Sequence, residues 1–166
     1  MANAIIPRSS RIDSNIASKT RSKQTLRLWL RLFSCQSMIE DRVRSKLRDQ
    51  HGITLPQFDV LAELENAGRP LTMTELSQLL VVSNGNITGV IDRLERDQFL
   101  SRTRSENDRR IQHINLTKEG RARFIKIAAE HEIWIENLLN DVSSSDVEDM
   151  IELLKTTKES ILNAND

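Results

Sequence analysis

The sequence predicts a mainly α-helical fold that carries one small antiparallel β-hairpin. Apolar residues recur at helical spacing over residues 23–50 and again over 73–95, which is typical of helices with one buried face. Residues 99–103 and 111–116 instead alternate apolar and polar side chains, as half-buried strands do. The chain has 166 residues, 38% hydrophobic and 29% charged, so it is long enough for one sizeable core or for one small domain plus a docking element.

The first 22 residues are predicted to form a flexible basic arm, because they contain few large apolar side chains. An arm of this kind can contact phosphate or pack on a partner subunit. The alternative is a disordered tail with no role, which is common at chain ends.

A long helix is predicted over residues 23–50, with Gly52 as its C-cap. Its apolar face is unusually wide, because a stripe at helical spacing is broadened in the first half by four further side chains. A surface of this width exceeds what one small domain covers, so a subunit interface is expected there. The stripe is Leu28, Leu32, Cys35, Ile39, Val43 and Leu47, and the four broadening residues are Leu26, Trp29, Leu30 and Phe33.

A second helix is predicted to begin at Thr54, whose side chain is a suitable N-cap, with Pro56 in the first turn. Its inward-facing residues are expected to be Phe58, Val60, Leu61 and Leu64, and the segment Gly68-Arg-Pro70 ends it. Leu71 and Thr72 are predicted to form a short strand that pairs with the hairpin.

Two consecutive helices joined by a short turn are predicted over residues 73–95. The first has Leu76, Leu79 and Leu80 on its expected buried face, and Ser83 is the expected N-cap of the second. The second buries Ile87, either Val90 or Ile91, and Leu94. Its outward side chains suit the major groove of DNA, because amides and hydroxyls bond base edges and glycine allows close approach. These outward residues are Asn84, Asn86, Thr88, Gly89 and Arg93.

The hairpin that follows places a polar loop, residues 104–110, between its two strands. Arg109 and Arg110 lie near the tip and are predicted to reach a neighbouring minor groove, whose negative potential attracts arginine. Asp108 can brace one of these arginines through a bidentate pair. The alternative is an arginine pair that is merely solvated. Arg93 has a similar alternative, as a structural partner of Asp97 or Asp108.

Two more helices are predicted in the last third of the chain. Thr117 begins the first of them, and residues 143–146 break the chain and cap the second. Apolar residues line one side of each helix. The first is lined by Phe124, Ile127, Ala128, Trp134 or Ile135, Leu138 and Val142, and the second by Val147, Met150, Ile151, Leu154 and Ile161.

This order of motifs resembles the winged helix-turn-helix of the MarR family of bacterial transcription regulators, most closely over residues 73–120. The matching features include Ser83, the segment Asp108-Arg-Arg110 and the segment Leu116-Thr-Lys-Glu-Gly120. One departure is Asp97-Gln98, where the family usually has the glycine that a left-handed C-cap needs.

The resemblance extends over residues 24–163 and implies a domain organisation. Residues 1–22 form the arm, 23–53 and 117–163 form a helical dimerisation domain, and 54–116 form the winged helix-turn-helix. It also implies a homodimer that binds a palindromic operator and acts as a repressor.

Aromatic side chains are expected to gather where the dimerisation helices meet the DNA-binding domain, with Arg27 or Arg31 beside them to hold an anion. The candidate effector-binding residues are Trp29, Arg31, Phe33 and Phe58, and Trp134 is expected nearby. The alternative is that these aromatics are plain core. The family resemblance implies a small aromatic or phenolic acid as the effector. The segment Arg27-Leu-Trp-Leu-Arg-Leu-Phe33 resembles the first helix of members that control the catabolism of aromatic and hydroxycinnamic acids, which implies the free acid or its coenzyme A thioester.

The remaining signals exclude other classes of protein. The three histidines are far apart and the five glycines form no phosphate-binding motif, so no cofactor, metal site or enzymatic activity is predicted. No apolar run approaches the ~20 residues of a membrane span, and the N-terminal segment lacks the apolar core of a secretory signal. The single cysteine, Cys35, is expected to be buried. Together these features predict a cytoplasmic protein without a membrane partner.

The net charge is zero, but its distribution is uneven. Residues 69–126 carry 11 basic and 7 acidic side chains, whereas 127–166 carry 2 basic and 10 acidic. This polarity favours a DNA-facing side, although solvated helix faces are the simpler alternative. The rival function is a winged-helix module that binds a protein and never contacts DNA.

Overall fold

The structure is a computed structural model that describes residues 21–80, 84–104 and 111–164, without the side chains of Asn84 and Asn86. Within these ranges, the predicted helical fold with a small antiparallel sheet is confirmed. The helices are α1 (Arg21–His51), α2 (Leu55–Ala67), α3 (Met73–Leu79), α4 (Asn84–Arg96), α5 (Lys118–Leu138) and α6 (Ser144–Leu162), and the strands are β1 (Leu71–Thr72), β2 (Leu100–Arg104) and β3 (Gln112–Leu116). One compact unit ends at His131, and a second begins at Glu132. The arm at residues 1–20 lies outside the described residues.

Helices α1 and α2 end where their glycines predict. Gly52 has a φ of 67°, and its N–H donates to the carbonyl oxygen of Arg48 over 3.1 Å. Gly68 has a φ of 60° and donates to the carbonyl oxygen of Glu65. Both are left-handed positions that glycine adopts without strain, so the chain reverses cleanly after each helix.

The sheet has the strand order β1-β3-β2 and is antiparallel throughout. Leu71 on β1 and Arg102 on β2 both lie opposite Ile114 on the central strand. The inward side chains Leu71, Leu100 and Ile114 are fully buried, so the hairpin is fastened to the helices by its own apolar face. The short strand predicted at residues 71–72 is therefore confirmed.

Helix α3 is capped at Thr72, whose hydroxyl accepts from the N–H of Glu75 over 3.2 Å. Leu76 is fully buried as predicted, but the prediction for Leu79 was wrong, because its side chain is 52% exposed. Ser77 is buried instead and donates to the carbonyl oxygen of Thr74 over 2.8 Å. The buried face of this two-turn helix is thus rotated toward Ser77, which satisfies its hydroxyl within the helix.

In helix α1 the first half is mostly exposed, with Leu30 as its buried residue, and the second half contributes two residues to the core. Val43 and Leu47 are in the core, whereas Leu28 is half exposed and Trp29 is 60% exposed. Cys35 is also exposed, so its predicted burial was wrong. The apolar stripe is thus longer than the part of α1 that other residues of the first unit bury. Helical periodicity predicts which side of the helix is apolar, but it does not predict how far along the helix that side is buried.

Helix α5 begins directly after Thr117, whose hydroxyl accepts from the N–H of Gly120 over 2.8 Å. A Cβ atom at Gly120 would lie 1.9 Å from the carbonyl oxygen of Phe99, so only glycine fits this close approach. Farther along, Phe124, Ile127 and Trp134 are buried, whereas Leu138 is 38% exposed.

Helix α6 is capped by Ser143, whose hydroxyl accepts from the N–H of Asp146 over 3.2 Å, as the sequence predicts. No residue of Ser144–Leu162 is buried, although the helix carries many large apolar side chains. Those exposed are Met150, Ile151, Leu153, Leu154, Ile161 and Leu162. Across the described ranges, no helix has the combination of length and hydropathy that crossing a membrane requires.

Candidate nucleic-acid interface

Helix α4 is anchored by one apolar face and presents the opposite face to solvent. Ile87, Ile91 and Leu94 are at most 1% exposed, which assigns the third inward position to Ile91 and leaves Val90 partly exposed. Thr88, Gly89 and Arg93 are exposed. Because the core fixes the rotation of the helix about its axis, these three residues share a solvent face of defined orientation.

The other predicted DNA contacts are described less completely. Asn84 and Asn86 lie in the first turn of α4, and their side chains are outside the described part of the structure. Ser83 also lies outside the described residues, as do Arg109 and Arg110 of the predicted wing tip. The bracing pair predicted for Asp108 lies outside them too.

Arg93 does not pair with Asp97, which was one of its predicted partners. The Asp97 carboxylate instead lies 4.0 Å from the Nε of Arg96, and Arg93 forms no ion pair with any other described residue. Gly85 and Gly89 line the same helix, and an added Cβ would meet nothing within 4 Å at either position. Among the described residues, the exposed face of α4 therefore leaves both glycines uncovered and carries the positive charge of Arg93.

A basic side chain that the sequence analysis missed connects the wing to α4. Arg102 on β2 forms ion pairs with Asp92 and with Glu95, the latter with 3.1 Å between Nη1 and Oε2. The alternation of side chains along β2 could have indicated this role, because Arg102 lies on the same strand face as the buried Leu100 and so points toward the helix. Its two partners are three residues apart on α4, which puts them on one side of that helix.

The turn after α4 is closed by a residue with a left-handed backbone. Gln98 has a φ of 62°, its N–H donates to the carbonyl oxygen of Glu95, and the Phe99 N–H donates to that of Leu94 over 2.9 Å. These two bonds are the pair that usually ends a helix at a glycine, so a strained glutamine takes the place of the glycine. Arg123 on α5 holds the turn from outside, because its guanidinium donates to the carbonyl oxygen of Asp97 and lies 3.7 Å from the ring centre of Phe99.

The start of α3 is fastened by a charged network. The Glu75 carboxylate accepts from the Thr72 N–H over 2.7 Å and from the Arg69 guanidinium over 2.8 Å. The hydrogen bond from Arg69, followed by those from Thr72, lowers the pKa of Glu75 to about 2. The helix that precedes α4 is thus capped by a carboxylate that is ionised at neutral pH.

The predicted effector-binding aromatics fall into two groups. Trp29 and Phe33 stack on each other on α1, with ring centres 6.4 Å apart, and both are more than half exposed. Arg31, which lies between them in the sequence, is exposed as well. Phe58 is instead buried, packed against Phe124 at 5.5 Å and against the His131 ring at 4.7 Å. The structure therefore brings Trp29 and Phe33 together and places Phe58 in the core.

A pocket of about 300 Å³ opens in the first compact unit, and none of the four predicted effector residues lines it. Its walls come from the end of α2, the end of β3 and the start of α5, and include Arg69, Lys118 and Arg121. Of these, Arg69 is paired with Glu75 and Arg121 with Glu65. Within the described ranges, no group of three or more His, Cys, Asp or Glu side chains is placed to hold a metal ion.

Comparison with known proteins identifies what this geometry is similar to. The model of the MarR family matches residues 53–112. The chain is 30% identical to the uncharacterised HTH-type transcriptional regulator YkoM of Bacillus subtilis, over 87% of this chain and 91% of that protein. It is 29% identical to the transcriptional activatory protein BadR of Rhodopseudomonas palustris, over 82% of this chain and 79% of that protein. Among solved structures, FabT from Streptococcus pneumoniae in complex with DNA has a similar fold, with a TM-score of 0.70, 24% identity, and coverage of 84% of this chain and 98% of that chain.

Proposed function

The chain belongs to the MarR family and is a DNA-binding transcriptional regulator rather than an enzyme, and from that premise we propose that it is a homodimeric, ligand-responsive repressor. The observation that carries the proposal is the solvent face of α4, where Thr88, Gly89 and Arg93 are exposed above a fully buried apolar face. A helix held in this way can enter the major groove with its polar face toward the bases.

The proposed DNA contacts form two sets. The major groove is contacted by the first set, which is Ser83, Asn84, Asn86, Thr88, Gly89 and Arg93. The neighbouring minor groove is contacted by the second set, Arg109 and Arg110. The division of the chain into an arm, a dimerisation domain at 23–53 and 117–163, and a DNA-binding domain at 54–116 is part of the same proposal. Support for the last of these comes from the MarR family match, which falls almost wholly within it.

Dimer formation is proposed from two exposed apolar surfaces. The first half of α1 exposes Leu26, Leu28, Trp29 and Phe33, and α6 exposes six large apolar side chains along its length. Exposed apolar surface of this extent is typical of an interaction site. A second copy of the chain covers both surfaces, and its two-fold symmetry matches a palindromic operator.

The proposed effector is a small aromatic acid or its coenzyme A thioester, bound beside the stacked rings of Trp29 and Phe33 with Arg31 as the anion partner. Phe58 is the fourth residue proposed for effector binding, and its ring is buried against Phe124 and His131. The effector releases DNA only if it binds more tightly to the dimer form whose recognition helices are wrongly spaced.

The test begins with the wild-type protein and a random duplex library of ~30 base pairs, long enough to hold two half-sites about one helical turn apart. Recovery of a palindromic duplex is the expected result, and failure to enrich any duplex at low salt would contradict DNA recognition by this chain. Benzoate, 4-hydroxycinnamate and their coenzyme A thioesters are then added to the complex, and release by at least one is expected. A reporter carrying the recovered duplex decides the sign of regulation, since the relative BadR is named an activatory protein.

A further inference from the structure

Arg102 connects β2, the first strand of the wing hairpin, to α4, the proposed recognition helix. Its position on β2 lies opposite Ile114 on the central strand, and its side chain, 23% exposed, reaches toward α4. There the guanidinium bridges two carboxylates, those of Asp92 and Glu95. Because the two acids are three residues apart, they lie on one side of α4 and both face the strand.

Stability alone does not account for an arginine at this place. The side chains of its two partners are 56% and 40% exposed, and ion pairs with such solvated groups contribute little to folding. The Nε of Arg102 is buried and has no hydrogen-bond partner among the described residues, which is unfavourable. An apolar side chain of similar length would fill the same space without that penalty.

The geometry of the two ion pairs does account for an arginine at position 102. A guanidinium is planar and its donors form a rigid fork, so a bridge to two carboxylates restricts both the distance and the rotation between strand and helix. Strand β2 ends at Arg104, shortly before Arg109 and Arg110, and α4 carries Thr88, Gly89 and Arg93. Along the chain, the proposed DNA contacts thus belong to α4 and to the segment that directly follows β2, and Arg102 joins α4 to β2.

We propose that Arg102 is a positioning residue that sets the wing against the recognition helix and so contributes to the choice of operator sequence without contacting DNA. This inference rests on the proposed function, because it presupposes that both elements read one duplex. A competing explanation is that Arg102 only neutralises Asp92 and Glu95, which would otherwise repel phosphate.

The two explanations differ for the variant that keeps Arg102 and removes its partners, Asp92→Asn with Glu95→Gln. If Arg102 positions the wing, this double variant loses preference for the selected duplex over a scrambled duplex of the same length and composition. If Arg102 only neutralises charge, the double variant binds both duplexes more tightly and its preference is unchanged.

The experiment compares full-length wild type, Arg102→Met, Arg102→Lys and the double variant. Fluorescence anisotropy at two salt concentrations gives Kd for the selected and the scrambled duplex. We expect Arg102→Met to lower the ratio of the two affinities about tenfold, while binding of the scrambled duplex and the urea midpoint change little. Arg102→Lys restores part of the ratio, because it retains the charge but contacts one carboxylate at a time.

An unchanged ratio in Arg102→Met overturns the proposal, as does a double variant with tighter binding and an unchanged ratio. A large loss of the urea midpoint in Arg102→Met with a normal ratio in the double variant shows a structural role and overturns it too. If the wild type selects no duplex at all, the proposed function fails, and that failure is visible before any Arg102 variant is measured.

Discussion

At the residue scale, Gly89 occupies a helix interior where glycine is unfavourable. It lies in the middle of α4, and an added Cβ would meet no atom within 4 Å. Alanine is favoured over glycine in a helix by roughly 0.8–1.0 kcal/mol, so Gly89→Ala should raise the free energy of unfolding by about that amount. No packing within the described chain therefore explains the glycine, and the proposed close approach of α4 to the DNA backbone would.

The prediction for Gly89→Ala is a gain in stability combined with a loss in DNA binding. Urea denaturation should show the stabilisation, and anisotropy with the selected duplex should show an affinity at least about fivefold lower, equivalent to ~1 kcal/mol. The opposite signs of the two effects serve as an internal control against misfolding. Equal or tighter DNA binding would remove Gly89 from the proposed interface.

Gln98 shows strain at a single residue. Its φ of 62° is left-handed, a conformation in which a side chain with a Cβ costs roughly 1–2 kcal/mol. Gln98→Gly should therefore stabilise the chain by about 0.5–1 kcal/mol, after allowance for the greater freedom of glycine in the unfolded state. The measurement is the thermal midpoint, and Gln98→Ala, which retains the strain, is the matched control. A glycine variant no more stable than the alanine variant would contradict this account.

At the scale of elements, most boundaries could be predicted from the sequence because their causes are local. Gly52, Gly68 and Ser143 end or begin helices through backbone conformation and caps that depend on neighbouring residues alone. Leu79 and Cys35 could not be placed in this way, since their exposure depends on which part of a helix another element covers. Likewise, Arg102 pairs with residues that precede it by seven and ten positions across a turn, which spacing alone does not show.

In the candidate site, too, features that depend on one helix could be predicted from the sequence, and features that depend on packing between helices could not. Ile87 and Leu94 were predicted to face inward, and their burial follows from helical periodicity. The aromatic residues were expected to gather, but periodicity within one helix says nothing about which other helix lies opposite. Phe58 accordingly packs on Phe124 and His131, whereas Trp29 and Phe33 stack on the surface of α1.

The packing of α2 near α1 raises the pKa of one carboxyl group. Burial, followed by the charges of Glu40 and Glu63, raises the pKa of Asp59 from 3.8 to about 6, although Arg44 acts in the opposite direction. Because the folded-state pKa is above the unfolded value, the folded chain binds the proton more tightly between pH 4 and 6. Stability therefore falls as pH rises through this window, and the penalty persists above it.

We expect Asp59→Asn to match the wild type near pH 4 and to be more stable by about 1–2 kcal/mol above pH 6, allowing for partial solvent screening. Urea denaturation at several pH values measures the difference. Asp49→Asn, which removes an exposed carboxylate from α1, is the matched control for the loss of one charge. A difference between Asp59→Asn and wild type that is constant with pH would rule out the titration of this group as its cause.

At the scale of the whole molecule, the proposed repressor depends on apolar surface that a single chain leaves exposed. Helix α6 buries none of its residues, and Leu154 is 44% exposed despite lying in the middle of the helix. A glutamate there would place a charge in the proposed dimer interface, where removal from water is costly. Leu154→Glu should therefore dissociate the dimer without unfolding the chain, because the residue packs little within it.

Sedimentation at micromolar concentration should show a dimer for the wild type and a monomer for Leu154→Glu, with helical content by circular dichroism unchanged. Thr156→Glu is the matched control, since it adds the same charge at an exposed polar position of the same helix. Binding to a palindromic duplex should weaken at least tenfold, because the linkage of two half-sites raises affinity by about 10²–10⁴. Binding to a duplex with one half-site should be unaffected, because each recognition helix is intact. A variant that stays dimeric, or that loses both duplexes equally, would separate the apolar surface of α6 from the assembly that reads DNA.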